Sequence, residues 1–290
     1  MATIEVKNLK KHFGNIKAVD GISFSVEEGE IFGFLGPNGA GKTTTIRCMT
    51  DFIRPDDGKI MILGKDVAGE IVEIKKDMTY LPASAQFYGN WTGKEHLDLI
   101  KAIRHGDGEI EEYAKRLDFN PNLRAKTLST GNKQKLGILL ALVNKPKVII
   151  LDEPTSGLDP LLQNTFNKIL KDLSAQGTTI FMSSHNLHEV EEICGRVAII
   201  KDGKLMAVES IRDLKQKRIY RVTVSFEKDV PDLSKVIDKI EEKKDGGIVA
   251  IVKGDINPFI TELSSHKVKS LEIIQAPLDE IFLEFYGKEK

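Results

Sequence analysis

The stretch from Gly36 to Thr43, with the sequence GPNGAGKT, indicates chemistry most directly, because it matches the spacing G-x-x-x-x-G-K-S/T. Glycines in such a turn let backbone N–H groups surround a phosphate, and a following helix directs its positive N-terminal end at the same anion. We predict that Lys42 pairs with β- and γ-phosphates, Thr43 ligates Mg²⁺ and Thr44 contacts the α-phosphate. The predicted nucleotide-binding residues of this loop are Gly36, Asn38, Gly39, Ala40, Gly41, Lys42, Thr43 and Thr44. The alternative is a glycine turn that holds no ligand.

Two acidic residues, Asp152 and Glu153, follow the apolar run from Val148 to Leu151. Acids at the end of a buried strand are costly without a cation. In this position Asp152 is predicted to hold Mg²⁺, and Glu153 to orient an attacking water or accept its proton. The alternative is a pair of solvated loop acids.

Short apolar runs separated by turn residues predict the strands that position these groups. The opening is β-rich, and the run from Ile31 to Leu35 leads directly into the glycine loop, after which the pattern becomes helical. Spacings of three and four residues predict a helical block between Trp91 and Val143. Beyond it, continuous apolar runs alternate with helical stretches, as expected for buried parallel strands covered by helices. These later runs are Val148–Leu151, Thr179–Met182 and Val197–Ile200, with helical patterns at Leu161–Leu173 and Leu187–Ile193.

A second series of strands and helices follows the charged stretch KQKR, so we predict a small C-terminal α+β domain that begins at residue 218. Its predicted helices lie around Leu233–Ile240, around Phe259–Leu263 and from Leu278 to Tyr286. The last of these has one apolar face, which is predicted to pack on the domain's own sheet or, alternatively, on a partner.

Composition excludes some classes of function but does not identify one. With 42 basic and 43 acidic residues the chain has no net field to attract nucleic acid, so no nucleic-acid partner is expected. Its apolar stretches are shorter than the roughly 20 residues that span a bilayer, so any membrane role requires another chain. The only two cysteines, Cys48 and Cys194, lack metal-ligand spacing and are predicted to be buried, inert thiols.

The segment from Leu128 to Pro160, LSTGNKQKLGILLALVNKPKVIILDEPTSGLDP, resembles the signature motif, Walker B strand and D-loop of the ABC ATPase family, in unbroken order. The resemblance covers about the first 215 residues. It implies that Ser129 and Gly131 contact the γ-phosphate of ATP held by an opposite subunit, and that His185 is the switch histidine. It also implies that Phe13 stacks on adenine, for which core packing is the alternative.

Three positions depart from the usual family pattern. Thr130 and Asn132 stand where the family more often has glycine and glutamine, a substitution pattern that resembles the exporter-type bacterial branch. Ala83 stands where the family places a glutamine or glutamate that reaches Mg²⁺ and the attacking water. Ser84 and Gln86 are alternative donors, and the identity of the replacement stays open.

The fold implied is an α/β, P-loop (RecA-like) ABC ATPase core with an N-terminal antiparallel β region, over residues 1–217. A helical subdomain of about 86–144 is inserted in it, and residues 218–290 form the accessory α+β domain. The aromatic residues Phe87, Tyr88 and Trp91 lie where the family receives a helix of the membrane subunit; local packing is the alternative.

The function implied is that of an ATP-hydrolysing transporter subunit, an exporter by its signature, at the cytoplasmic face of the membrane. Two subunits, identical or different, would enclose two ATP·Mg²⁺ and drive separate transmembrane permease subunits. The alternatives are a non-transport ABC ATPase acting on nucleic acid or ribosomes, and an ATP-dependent regulatory module. The chain has neither the second cassette nor the inserted coiled coil usual in the first alternative, whereas Ala83 and Thr130 favour the second.

Overall fold

A computed structural model describes residues 2–104, 110–216, 218–227, 230–244 and 246–276. The described strands are β1 Ala2–Phe13, β2 Ile16–Glu27, β3 Ile31–Leu35, β4 Asp57–Ile62, β5 Lys65–Asp66, β6 Met78–Leu81, β7 Val148–Asp152, β8 Thr179–Ser184, β9 Arg196–Lys201, β10 Lys204–Ser210, β11 Ile219–Phe226, β12 Lys239–Lys244, β13 Gly247–Lys253 and β14 Val268–Gln275. The described α-helices are α1 Lys42–Met49, α2 Val67–Asp77, α3 Gly93–Arg104, α4 Ile110–Arg116, α5 Thr130–Leu142, α6 Pro160–Ala175, α7 Leu187–Ile193, α8 Ile211–Gln216 and α9 Asn257–Leu263.

The chain divides into two compact units, Met1–Val208 and Glu209–Lys290. The division falls earlier than the predicted boundary after residue 217, because α8 belongs to the second unit.

A six-stranded sheet of order β10-β9-β3-β8-β7-β6 forms the centre of the first unit. From β9 through β6 the neighbouring strands are parallel, so their carboxyl ends share one edge. Every residue of β3, β7 and β8 is buried. This is why these strands read as continuous apolar runs, and the prediction of buried parallel strands covered by helices is confirmed.

A separate four-stranded sheet, of order β2-β1-β4-β5, confirms the predicted β-rich opening and pairs its strands antiparallel. Its apolar residues join those of the parallel sheet in one core. Within that core the Phe24 ring stacks on Phe32 and Phe181, with centroids 5.7 Å apart in each pair. Aromatic packing of this kind fixes the β1–β2 hairpin against the strands that carry the site.

The predicted helical block contains α3, α4, a 3₁₀ turn at Ala125–Thr127, and α5. Ser129 begins α5 as its N-cap, since its side chain accepts a hydrogen bond from the Asn132 N–H. Most of α5 is buried, and it packs on β6, α3 and α4. The helix thus connects the outer block to the parallel sheet.

The second unit holds a four-stranded antiparallel sheet of order β12-β13-β11-β14. The apolar face of this sheet packs on Phe259 and Leu263 of α9. From β11 onward the described elements follow the order β-β-β-α-β, which is similar to a β-α-β-β-α-β arrangement in which the described residues form no helix between the first two strands.

The prediction of a helix around Leu233–Ile240 is wrong. The chain there forms turns and then strand β12, which pairs with β13. Leu233, Val236 and Ile237 do pack on the core, so their helical spacing reflects burial rather than helix formation. The predicted helix around Phe259–Leu263 is confirmed, whereas that from Leu278 to Tyr286 lies outside the described residues.

Both cysteines are buried and unpaired, as predicted. Burial raises the pKa of the Cys48 thiol to about 11 and also raises that of Cys194, so neither forms a thiolate readily. Among the described residues, no helix is long and apolar enough to cross a membrane.

Candidate active site

The glycine loop lies between β3 and α1, at the carboxyl edge of the parallel sheet, as the sequence predicts. Gly41 precedes α1 with a φ of +107°, a conformation closed to most L-residues. A Cβ atom there would lie 2.3 Å from the Ala18 carbonyl oxygen, and one on Gly36 would lie 2.2 Å from that of Ile200. Glycine is therefore required at both positions for the loop to fit against its neighbours.

A cavity of about 600 Å³ opens over this loop. Six of the predicted loop residues line it, together with Glu153: Asn38, Gly39, Gly41, Lys42, Thr43 and Thr44. Gly36 and Ala40 are not among the described residues that line the cavity, and a Cβ on Gly36 would lie 3.2 Å from the Ala40 Cβ. The geometry is that of a polar pocket at a helix N-terminus, which suits an anionic ligand.

Sequence reasoning missed the rest of the cavity lining. It comes from the β1–β2 turn with the start of β2 and from the β9–β10 turn, which contribute Asn15, Ile16, Lys17, Ala18, Asp202 and Gly203. Backbone hydrogen bonds hold these turns together: Asp20 N–H donates to the Gly203 carbonyl, and Gly203 N–H donates to that of Ala40. The dipeptide Asp202-Gly203 signals a turn, but nothing in the sequence places it beside residue 40.

Lys42, Glu153 and His185 form a continuous chain of polar contacts. The Lys42 ammonium is buried and donates to the carbonyl oxygens of Gly36, at 2.7 Å, and Pro37, at 3.2 Å. It also lies 3.3 Å from Glu153 Oε1, while Glu153 Oε2 lies 2.8 Å from His185 Nδ1. The structure thus brings Lys42 together with two residues, Glu153 and His185, that lie more than a hundred positions further along the chain.

His185 contacts Glu153 and is not among the described residues that line the cavity, so its predicted contact with the γ-phosphate stays a prediction. A neutral imidazole has one N–H, and an ionised Glu153 requires it at Nδ1. The ring then has no second N–H to donate to a phosphate.

Asp152 is fully buried at the end of β7, and Oδ1 accepts a hydrogen bond from the Ser183 hydroxyl at 2.7 Å. Tyr80 on the adjacent strand β6 lies near the same charge. Burial, and then the negative charge of Asp152, raise the pKa of Tyr80 to about 12. The tyrosine therefore stays protonated. The alternative that Asp152 and Glu153 are solvated loop acids is wrong, because Glu153 is only 18% exposed.

Ser129 and Gly131 do not belong to the set of described residues that line the cavity. They lie at the start of α5, beside the loop that follows Glu153: a Cβ on Gly131 would lie 3.2 Å from the Gly157 carbonyl oxygen. The Thr130 methyl group faces the same Gly157. The added side chain of Thr130 is therefore accommodated within the chain.

Phe13 ends strand β1 with half of its surface exposed, at 50%, so the alternative of core packing is wrong. The Lys11 ammonium lies 5.5 Å from its ring centroid. The neighbouring Ile16 and Lys17 line the cavity. Ala83, Ser84 and Gln86 are all exposed in the loop after β6 and line no part of the described cavity wall.

The aromatic residues after this loop surround His96. His96 is buried, its Nδ1 lies 2.7 Å from the Thr92 carbonyl and its Nε2 accepts from the Tyr88 N–H. The rings of Phe87, Tyr88 and Trp91 all lie within 6.0 Å of the histidine ring, centroid to centroid. Local packing accounts for Phe87, whereas Tyr88 keeps 65% of its surface exposed.

The site fits ATP and Mg²⁺ by its donor set. Glu153 Oε1 is buried and forms an ion pair with the Lys42 ammonium at 3.3 Å, but it accepts no hydrogen bond from the described part of the chain, so it can accept one from a water beside the cavity. No group of three or more metal-ligating His, Cys, Asp or Glu side chains occurs in the described ranges. Mg²⁺ usually takes only one or two protein carboxylates and completes its shell with phosphates and water, so the hydroxyl of Thr43 and the carboxylate of Asp152 have the chemistry expected of its protein ligands.

Comparison with known proteins agrees with this geometry. The family model described as "ABC transporter" matches residues 19–156. The linearmycin resistance ATP-binding protein LnrL of Bacillus subtilis is 32% identical over 98% of both chains. The chain belongs to the ABC transporter ATP-binding family.

Other members of the family are similar to this chain in sequence and in structure. The bacitracin transport ATP-binding protein BcrA of Bacillus licheniformis is 32% identical over 98% of this chain and 97% of its own. A solved ATP-binding subunit of an ABC transporter superposes with a TM-score of 0.66 at 30% identity, covering 73% of this chain and 92% of its own. As an ABC cassette, the chain is an ATP-binding subunit of a transporter and an ATPase.

Proposed function

We propose that this chain is the ATPase of an exporter, in which two such subunits enclose two ATP·Mg²⁺ and drive separate transmembrane subunits from the cytoplasmic face of the membrane. The export direction is supported by the substituted signature LSTGN and by relatives named for antibiotic resistance and Nod factor export. The second subunit is either an identical chain or a related one. The ATPase part of the proposal rests on one observation: Lys42 of the phosphate loop contacts Glu153, which in turn contacts His185.

Each group of residues in the site has its own role in hydrolysis. The backbone N–H groups of the loop and the Lys42 ammonium bind the β- and γ-phosphates, which replace at least one of the three oxygens around Lys42. Thr43 and Asp152 would hold Mg²⁺, which when bound would supply positive charge beside the transferred phosphoryl group. Glu153 Oε1 orients the attacking water and accepts its proton. Ser129 and Gly131 of the opposite subunit contact the γ-phosphate, and Phe13 stacks on adenine.

A dimeric enzyme should lose specific activity on dilution. Because each site requires two chains, phosphate release per chain should rise with protein concentration and reach a plateau when the dimer is fully formed. Steady-state phosphate release, measured beside sedimentation over the same concentration range, tests this. Constant activity per chain in a preparation that stays monomeric would contradict it. An ATP-binding regulator, the second candidate favoured by Ala83, would bind ATP at every concentration with negligible release.

The second unit, Glu209–Lys290, should be dispensable for ATP binding. All residues that line the cavity lie in the first unit, so a chain that ends after Ser210, the end of β10, should melt cooperatively and bind ATP with near wild-type affinity. Dimer lifetime or coupling to the membrane subunits is the property expected to change. Calorimetry and fluorescent-nucleotide titration check the result. Lost binding in a folded truncation would show that the second unit contributes to the site.

A further inference from the structure

Glu153 has a backbone conformation that its residue type rarely adopts. Its φ is +49°, in the left-handed region that non-glycine residues enter only at an energetic cost. Such a conformation persists where the surrounding structure holds it. Two buried polar side chains, Ser183 and Gln134, bond to the backbone on either side of this residue.

Ser183 holds the N-terminal side. It lies in β8, opposite Asp152 in the parallel register with β7, and is fully buried. Its hydroxyl donates to Asp152 Oδ1 at 2.7 Å and accepts from the Glu153 N–H at 3.1 Å. One hydroxyl has a proton and two lone pairs, so both bonds form together.

Gln134 holds the C-terminal side. It lies in α5 and is buried, and its Nε2 donates to the Pro154 carbonyl at 2.7 Å. The segment from Asp152 to Pro154 is therefore attached to strand β8 at one end and to helix α5 at the other. Neither Ser183 nor Gln134 is among the described residues that line the cavity.

We propose that Ser183 and Gln134 are positioning residues for ATP hydrolysis, which hold Glu153 in its left-handed conformation so that its carboxylate faces Lys42 and His185. This proposal rests on the role proposed for Glu153. A change in φ swings the carboxylate away from both partners, which lie 3.3 Å and 2.8 Å from it. Small displacements of a reacting group cost much of its catalytic effect, whereas phosphate binding through the loop is untouched.

Ser183→Ala removes both bonds and should lower kcat about 10- to 100-fold, as loss of a supporting hydrogen bond typically does, while KM for ATP stays within about threefold. Ser183→Thr, which keeps the hydroxyl, should recover most of the rate. Gln134→Met keeps the length of the side chain but removes its N–H donor, and it should also lower kcat. The full chain is used, at saturating Mg²⁺, and fluorescent-ATP affinity and melting temperature are measured for each variant.

The chain offers a matched control for each substitution. Thr179 is also fully buried in β8, and its hydroxyl accepts from the Gly29 N–H at 3.1 Å, away from the site. Lys135 follows Gln134 in α5 and donates to the Asp118 carbonyl at 2.9 Å. Thr179→Val and Lys135→Met remove comparable bonds and should lower the melting temperature without lowering kcat.

The outcomes separate this proposal from the function on which it rests. If Glu153→Gln retains hydrolysis, the role of Glu153 fails and the positioning role fails with it. If Glu153→Gln is inactive but Ser183→Ala and Gln134→Met turn over as fast as their controls, only the positioning proposal is overturned. A parallel loss of ATP affinity and kcat would also overturn it, because it would indicate a general structural role. If Ser183→Ala does not fold, Ser183→Cys and Gln134→Met carry the same test.

Discussion

Glu153→Gln should abolish ATP hydrolysis and leave nucleotide binding intact. The amide keeps the shape of the side chain but cannot take a proton from water, and general-base catalysis typically contributes about 10²- to 10⁴-fold. The substitution also removes a negative charge 3.3 Å from the Lys42 ammonium, which favours the binding of anionic phosphates. ATP-bound dimers should therefore accumulate. Gel filtration with ATP and a phosphate-release assay measure the two effects.

Glu30→Gln is the control for this change. Glu30 is another partly buried carboxylate paired with a cation, since its side chain lies 3.2 Å from Arg196, and it lies outside the described cavity lining. Its replacement should leave the hydrolysis rate near that of the wild type. Monomers in ATP together with wild-type phosphate release from Glu153→Gln would show that Glu153 is not the catalytic group.

The sequence predicts the carboxyl edge of the sheet well, for a local reason. The glycine loop, Asp152 and Glu153 each follow directly on an apolar run, so chain order alone places them at strand ends. Once the runs are interpreted as parallel strands, their carboxyl ends meet at the same edge. The phosphate side of the site therefore follows from patterns that each span only a few residues.

The rest of the site depends on which strands are neighbours, and local patterns carry no such information. Ser183 faces Asp152 only because β8 pairs with β7 in that register. Gly203 meets the β1–β2 hairpin across a separation of more than 180 residues. A serine after an apolar run predicts only a strand end. The three-dimensional pairing is needed to show that its hydroxyl donates to the Asp152 carboxylate and accepts from the Glu153 N–H.

Local periodicity also misleads where burial has another cause. Leu233, Val236 and Ile237 have helical spacing, but the segment must deliver β12 to the edge of the accessory sheet. Asp238 is fixed there, since its N–H donates to the Ile251 carbonyl and its carboxylate accepts from the Lys253 N–H. Pairing with β13 thus overrides the helical tendency of the preceding turn.

Mixing a Lys42→Ala chain with a Ser129→Arg chain should restore hydrolysis that neither chain has alone. Lys42 lies in the cavity, whereas Ser129 caps α5 and does not line it, so we expect the serine to serve the cavity of a partner. Each pure mutant dimer then has two damaged sites, but a mixed dimer has one doubly damaged site and one intact site. If half of the dimers are mixed and the sites act independently, mass action gives about a quarter of the wild-type rate. ATP occlusion replaces phosphate release as the readout if the two sites hydrolyse only together.

A mixture of Lys42→Ala with Glu153→Gln is the decisive control, because these two residues lie 3.3 Å apart in the same half-site of one chain. A mixed dimer of this pair has damage in both cavities, so no hydrolysis should return. Recovery in the first mixture and none in the second shows that one site is completed by another chain, since a site built within one chain would leave both mixtures inactive. Inactivity of both mixtures, in preparations whose mixed dimers are confirmed by differential tagging, would contradict the shared site. Phosphate release measured across a series of mixing ratios provides the final check, because recovery should peak at equal amounts, where mixed dimers are most abundant.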